Sequence, residues 1–138
     1  MNKKILILCT GNSCRSQMAD GYLKEIAPKG TAVFSAGIET HGVNPRAIET
    51  MKEEGIDISL NTSNHVAEFA HIAFDFIITV CDNAQERCPY FPSNAFKFHY
   101  NFPDPAKATG TEAEIKASFK LTRELVKGYC KEFNSAYL

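Results

Sequence analysis

LILCTGNSCRSQMA, residues 6–19, decides the fold. A continuous apolar run ends at Cys9, as in a strand covered on both faces. A polar loop with one glycine follows, and from Ser16 the apolar residues Met18, Ala19, Tyr22, Leu23 and Ile26 recur at helical spacing. A cysteine thus stands at the mouth of a buried strand, with an arginine six positions on.

Working outward, the first strand spans 3–9 and the first helix 16–27, ended by Pro28 and Gly30. TAVFSAG (31–37) is a second strand. NPRAIETMKEEG (44–55) is a helix, with Asn44 as cap, Pro45 at its first position and Gly55 as its stop. FDFIITVC (74–81) is a third strand, AFKFHY (95–100) a weakly alternating fourth, and 111–133 a long C-terminal helix containing Gly128. The polar stretch 82–88 favours a short helix, capped by Asp82 and ended by Pro89. Strand–helix alternation predicts an α/β fold: three layers, α/β/α, around a central four-stranded parallel sheet. In such sheets the functional crevice lies outside the carboxyl ends of the strands. Cys9 and Cys81 each follow a strand, which predicts that both thiols emerge at one sheet edge.

The 138 residues fit one domain, 1–138, without repeat or low-complexity linker. A net charge of −1 gives no sign of nucleic acid or an acidic membrane surface. There is no run long enough for a membrane span or a secretory signal, which points to the cytoplasm. Five cysteines, an odd number, argue against a structural disulfide framework there and for chemical use of some of them.

The loop Thr10, Gly11, Asn12, Ser13, Cys14, Arg15 reads as an oxyanion site. Its N–H groups can form a nest in front of a helix N-terminus. Gly11 permits a close turn, and Asn12 tolerates left-handed backbone. Arg15 offers a planar fork to two oxygens. Such surroundings favour a thiolate at Cys9, and Ser16 can donate to its sulfur. Alone, Cys9 or Cys81 reads as a buried core cysteine; the complete loop does not. Cys88 lies in a polar, proline-bounded stretch, while Cys14 and Cys130 read as structural. A nucleotide P-loop is excluded because no lysine follows the glycine. The cysteine spacings are C-x4-C and C-x6-C, which disfavours zinc. His41, His65, His71 and His99 lack metal-ligand pairing and read as structural or surface residues, His65 as a cap or support near Thr62. Asp104 alone is a turn residue between prolines.

Cys9-x5-Arg15-Ser16, NPRAIETMKEEGIDIS and the PDP at 103–105 together resemble the low-molecular-weight protein tyrosine phosphatases. CTGNSCRSQMA, SAGIETHGVNP, TSNH and VCDNAQERCP resemble one branch more closely, the thioredoxin-coupled arsenate reductases, over nearly the whole chain. The resemblance implies Cys9 as nucleophile, Arg15 as oxyanion ligand, Ser16 as thiolate partner and Asp104 as general acid. It implies Cys81 and Cys88 as the second and third redox cysteines, with thioredoxin as external reductant. The implied activity is arsenate reduction in arsenic detoxification, with a weak phosphatase side activity, no cofactor and a monomeric enzyme. It also implies a possible potassium site at Asn12, Asp20, Ser35 and Thr62, although Asn64 stands where an acidic ligand is expected. The phosphatase branch's tyrosine pair is absent after PDP, where Ala106 and Lys107 follow. Two alternatives remain: a tyrosine phosphatase with Cys81 and Cys88 as redox protection, and a non-enzymatic oxyanion-binding thiol sensor.

Overall fold

The computed structural model describes residues 2–88, 91 and 94–138. Its elements are β1 (Lys4–Cys9), α1 (Arg15–Ile26), β2 (Ala32–Gly37), α2 (Pro45–Lys52), β3 (Phe76–Thr79), α3 (Asp82–Glu86), β4 (Phe96–His99) and α4 (Glu112–Tyr137), with short 3-10 helices at Val66–Phe69 and Pro105–Lys107. The four strands form one parallel sheet in the order β2-β1-β3-β4. The expected α/β fold is therefore present. The most apolar strands, β1 and β3, are central, and Ile5 to Leu8 are fully buried.

Register separates the two faces. Ile5 aligns with Val33 and Phe76, and the Phe76 ring meets Phe133 of α4 edge-on at 5.4 Å between centroids. Leu6 aligns with Phe34 and Ile77, one residue on and so on the opposite face. There Phe34 packs edge-on against Phe69 and Phe74. The first face is covered by α4, which also packs against α1 and α2. Arg123 of α4, 5% exposed, donates to the Thr50 carbonyl at 3.0 Å and pairs with Glu53 at 2.8 Å, tying α4 to the end of α2. The second face is covered at Phe34 by the 3-10 helix Val66–Phe69 and the segment reaching Phe74, where the sequence carries no helical periodicity.

Several boundaries differ from expectation for local reasons. α2 ends at Lys52 rather than Gly55; turns follow, and Gly55 adopts φ 74°. β3 is shorter than 74–81, because Asp75 turns its carboxylate to the N–H of Lys4 and Phe74 enters the core. α4 runs through Gly128 to Tyr137, held by buried Val126, Cys130 and Phe133. The cap of α3 is Cys81, not Asp82; Asp82 is the first helical residue. Pro89, expected to end α3, lies outside the described residues.

Candidate functional site

Cys9 ends β1, and Cys81 lies two residues beyond the end of β3, the neighbouring strand. Both thiols therefore emerge at the carboxyl edge, 3% and 4% exposed. Between Cys9 and α1 the loop turns every carbonyl from residue 9 to 14 onto a partner. Cys9, Thr10 and Gly11 accept from the N–H groups of Ile38, Glu39 and His41, and Ser13 accepts from Asn44. Asn12 accepts from the side chains of Gln17 and Ser63, Ser63 also reaches Gly11, and Cys14 accepts from Met18. The loop carbonyls are thereby engaged by the framework, an arrangement compatible with an anion nest. Asn12 supplies the left-handed residue at φ 49°. Gly37 allows the close approach: a Cβ there would lie 2.7 Å from the Thr10 carbonyl and 2.8 Å from the Asn12 nitrogen.

One hydrogen can be traced at Cys9. Asn12 Oδ1 accepts from the Asn64 N–H at 2.8 Å, which fixes the amide's orientation. Asn12 Nδ2 then donates to Ser16 Oγ at 2.8 Å. The Ser16 hydroxyl, an acceptor on that side, has its hydrogen free for Cys9 Sγ at 2.9 Å. A similar chain reaches the second thiol: Asn83 Nδ2 donates to Thr10 Oγ1 at 3.1 Å, leaving the Thr10 hydrogen for Cys81 Sγ at 3.3 Å.

Arg15 opens α1, donates to the Phe102 carbonyl at 3.1 Å and lies 3.6 Å from Asp104. Asp104 caps the 3-10 helix Pro105–Lys107 through the Ala106 N–H, as a turn residue would, yet faces the loop. Cys9, the loop, Asp104 and Lys107 line one cavity of about 250 Å³. His41, expected to be a structural or surface residue, also lines it: its ring packs over Gly11 and is held by Glu39 at 2.8 Å. His65 caps the 3-10 helix at Val66, within the role expected of it. Burial pushes the Cys14 and Cys130 thiols up to about 12. Burial also pushes Cys88 up, partly offset by Lys97.

Three of the four potassium donors, Asp20, Asn12 and Thr62, already make other contacts. Asp20, 2% exposed, has the Lys24 ammonium and Asn61 Nδ2 each at 3.1 Å. Burial holds its carboxyl above the usual range, against the pull of Lys24 and Asn61. Asn12's amide is occupied at both ends, and the Thr62 hydroxyl donates to Asn64 at 2.9 Å. The set as assembled does not fit a cation that needs several free oxygens, because Lys24 supplies the positive charge. Among the described residues, no group of three or more His, Cys, Asp or Glu side chains is placed to hold a metal ion.

Sequence reasoning missed Gln17, Ser63, Gly37, His41, Asn83 and the Thr10–Cys81 contact. Their only signal is proximity created by folding.

A parallel sheet with an arginine-bearing loop between its first strand and first helix defines the class. The chain belongs to the low molecular weight phosphotyrosine protein phosphatase family, whose model matches residues 4–137. Within it, the chain is similar to arsenate reductases. It is 48% identical over 134 residues to the arsenate reductase of Halalkalibacterium halodurans, covering 96% of each chain. A solved arsenate reductase in an oxidized state superimposes with TM-score 0.81 at 30% identity, covering 96% of this chain and 97% of the other. Another, in a phosphate-binding state, gives 0.78 at 30% identity with the same coverage. No helix among the described residues is long and apolar enough to cross a membrane.

Proposed function

We propose that this chain reduces arsenate to arsenite through a thiol cascade from Cys9 to Cys81 to Cys88. The observation that carries the proposal is the pairing of two thiols at one sheet edge, with Thr10, the residue after Cys9, 3.3 Å from Cys81 Sγ. Hydrolysis needs one thiol, whereas a two-electron reduction needs two.

The loop N–H groups and Arg15 bind the oxyanion. The Cys9 thiolate attacks arsenic and displaces an oxygen, which leaves as water with a proton delivered through Asp104. Cys81 then attacks Cys9 sulfur. The Cys9–Cys81 bond forms, the As–S electron pair passes to arsenic, and As(V) leaves as As(III). Cys88 attacks Cys81 and frees Cys9. The resulting Cys81–Cys88 disulfide returns to two thiols by taking two electrons and two protons from thioredoxin. The enzyme works as a cytoplasmic, monomeric single domain, 1–138.

The test is turnover with arsenate, thioredoxin, thioredoxin reductase and NADPH. NADPH oxidation that requires all three proteins and arsenate supports the reading; none, with brisk aryl-phosphate hydrolysis, reverses it in favour of a phosphatase. Weak hydrolysis alongside reduction is expected, since Cys9, Arg15 and Asp104 suffice for it. The cavity wall, with Ala106 and Lys107 and no tyrosine among the described residues, is a poor seat for a phosphotyrosine ring.

A further inference from the structure

Asp82 and His99 take no part in the chemistry proposed above, yet they are joined. Asp82 opens α3 directly after Cys81, and its Oδ1 lies 2.7 Å from His99 Nε2. His99 ends β4. One partner therefore belongs to the redox segment and the other to the sheet. The second ring nitrogen, Nδ1, lies 2.7 Å from Thr79 Oγ1 on β3. A hydroxyl both donates and accepts. Thr79 donates to Nδ1 of a neutral ring. When the ring is charged it accepts from Nδ1 and turns its own hydrogen to the Phe98 carbonyl, 3.4 Å away. In both forms Nε2–H is left for Asp82. The His99 side chain is 23% exposed and that of Asp82 65%, so the fixed half of the pair is the sheet half. The same turn is held twice more, by the Asp82 N–H on Asn101 Oδ1 at 3.2 Å and by Asn83 on Thr10.

We propose that the Asp82–His99 pair is a clasp that holds the first turn of α3 in the dithiol form and so sets how readily the Cys81–Cys88 disulfide is reduced. The proposal rests on the cascade above. In oxidation the two thiols lose two electrons and two protons as the S–S bond forms, and a reference disulfide takes them up as it becomes a dithiol. The bond needs Cα atoms about 4.4 to 6.8 Å apart. The helical rise from Cys81 to Glu86 carries the chain roughly 7.5 Å away from Cys81 before Cys88 is reached, so closing the bond opposes an intact α3 and its clasped turn. A contact made only in the dithiol state stabilises that state alone, which makes the disulfide the stronger oxidant. The clasp thereby favours the final reduction by an outside dithiol and opposes premature oxidation. Both are positioning residues, acting through the backbone of α3.

The test is a double-mutant cycle in a Cys9→Ser background, with Asp82→Ala, His99→Ala and the pair, equilibrated in mixtures of reduced and oxidised dithiothreitol. Alkylation and mass spectrometry read the fraction of Cys81–Cys88 disulfide. Each single substitution should shift the equilibrium toward disulfide about fivefold, roughly 20 mV for a two-electron couple, and the second should add little to the first. Amide exchange of residues 82–87 in the reduced variants should rise while β1 and β3 stay protected, which separates an opened clasp from an unfolded chain. Asp82 is exposed, so Asp82→Ala reports even if His99→Ala unfolds. An unchanged equilibrium in Asp82→Ala, or two single shifts that simply add, overturns the clasp and leaves the cascade standing. A parent chain that forms no Cys81–Cys88 disulfide overturns both.

Discussion

Ser16 Oγ lies 2.9 Å from Cys9 Sγ at the floor of the loop, and Asn12 fixes which way its hydrogen points. A hydrogen bond to a charged group contributes about 1.5 to 3 kcal/mol. Ser16→Ala should therefore slow arsenate reduction by about 10- to 100-fold. Cys9→Ser should abolish reduction and aryl-phosphate hydrolysis together. Steady-state rates on both substrates are the measurement; a Cys9→Ser protein that keeps either activity near the parent level would sink the shared-loop mechanism.

Cys81→Ser and Cys88→Ser should each stop thioredoxin-driven turnover while leaving weak aryl-phosphate hydrolysis. Neither residue lines the cavity beside Cys9. Loss of hydrolysis with full arsenate turnover in either variant would reverse the assignment.

Oxidation should open the redox segment. Cys88 is half-buried, and burial disfavours its thiolate, so exposing the segment would favour its attack. Amide exchange at 82–88 should rise in the Cys81–Cys88 oxidised form, while β1 and β3 stay protected. Equal protection of 82–88 in both forms would show that nothing moves.

Thiol reactivity should be selective. Burial pushes Cys14 and Cys130 to about 12, so at pH 8 each carries thiolate in only about one molecule in ten thousand. Iodoacetamide added to the native reduced protein should modify Cys9 first, and phosphate should slow that reaction. The thiolates of Cys14 and Cys130 grow as pH rises toward 12, so their labelling should increase with pH. Mass mapping that finds Cys14 labelled as fast as Cys9 at pH 8 would contradict the burial argument.

Potassium and sodium should raise the melting temperature equally, because the Lys24 ammonium already sits 3.1 Å from Asp20. A large potassium-specific rise would show that Lys24 yields its place to the ion.

Local rules made β1, α1 and the loop legible in the sequence. An unbroken apolar run, a glycine, an asparagine and an arginine before a helical period each act within a few residues. The Asn44–Pro45 start of α2 is equally local, and its cap forms as a side-chain bond to the Arg46 N–H. The two strand-end cysteines followed from the parallel-sheet rule alone. Tertiary structure decided the rest. The carbonyls of the loop are turned by residues 38–44 and by Ser63, which lies 52 positions from Gly11, so no window of sequence contains both partners. Asp82 has the composition of a cap, but His99, 17 positions away, takes its carboxylate, and the cap position falls to Cys81. At the potassium donors the two kinds of information meet: Lys24 reaches Asp20 as a local i,i+4 pair on α1, whereas Asn61 reaches it only through packing. A side chain's type is written in the sequence. Which partner it meets depends on distances that exist only after the chain has closed on itself, and the polarity of the loop depends on those partners.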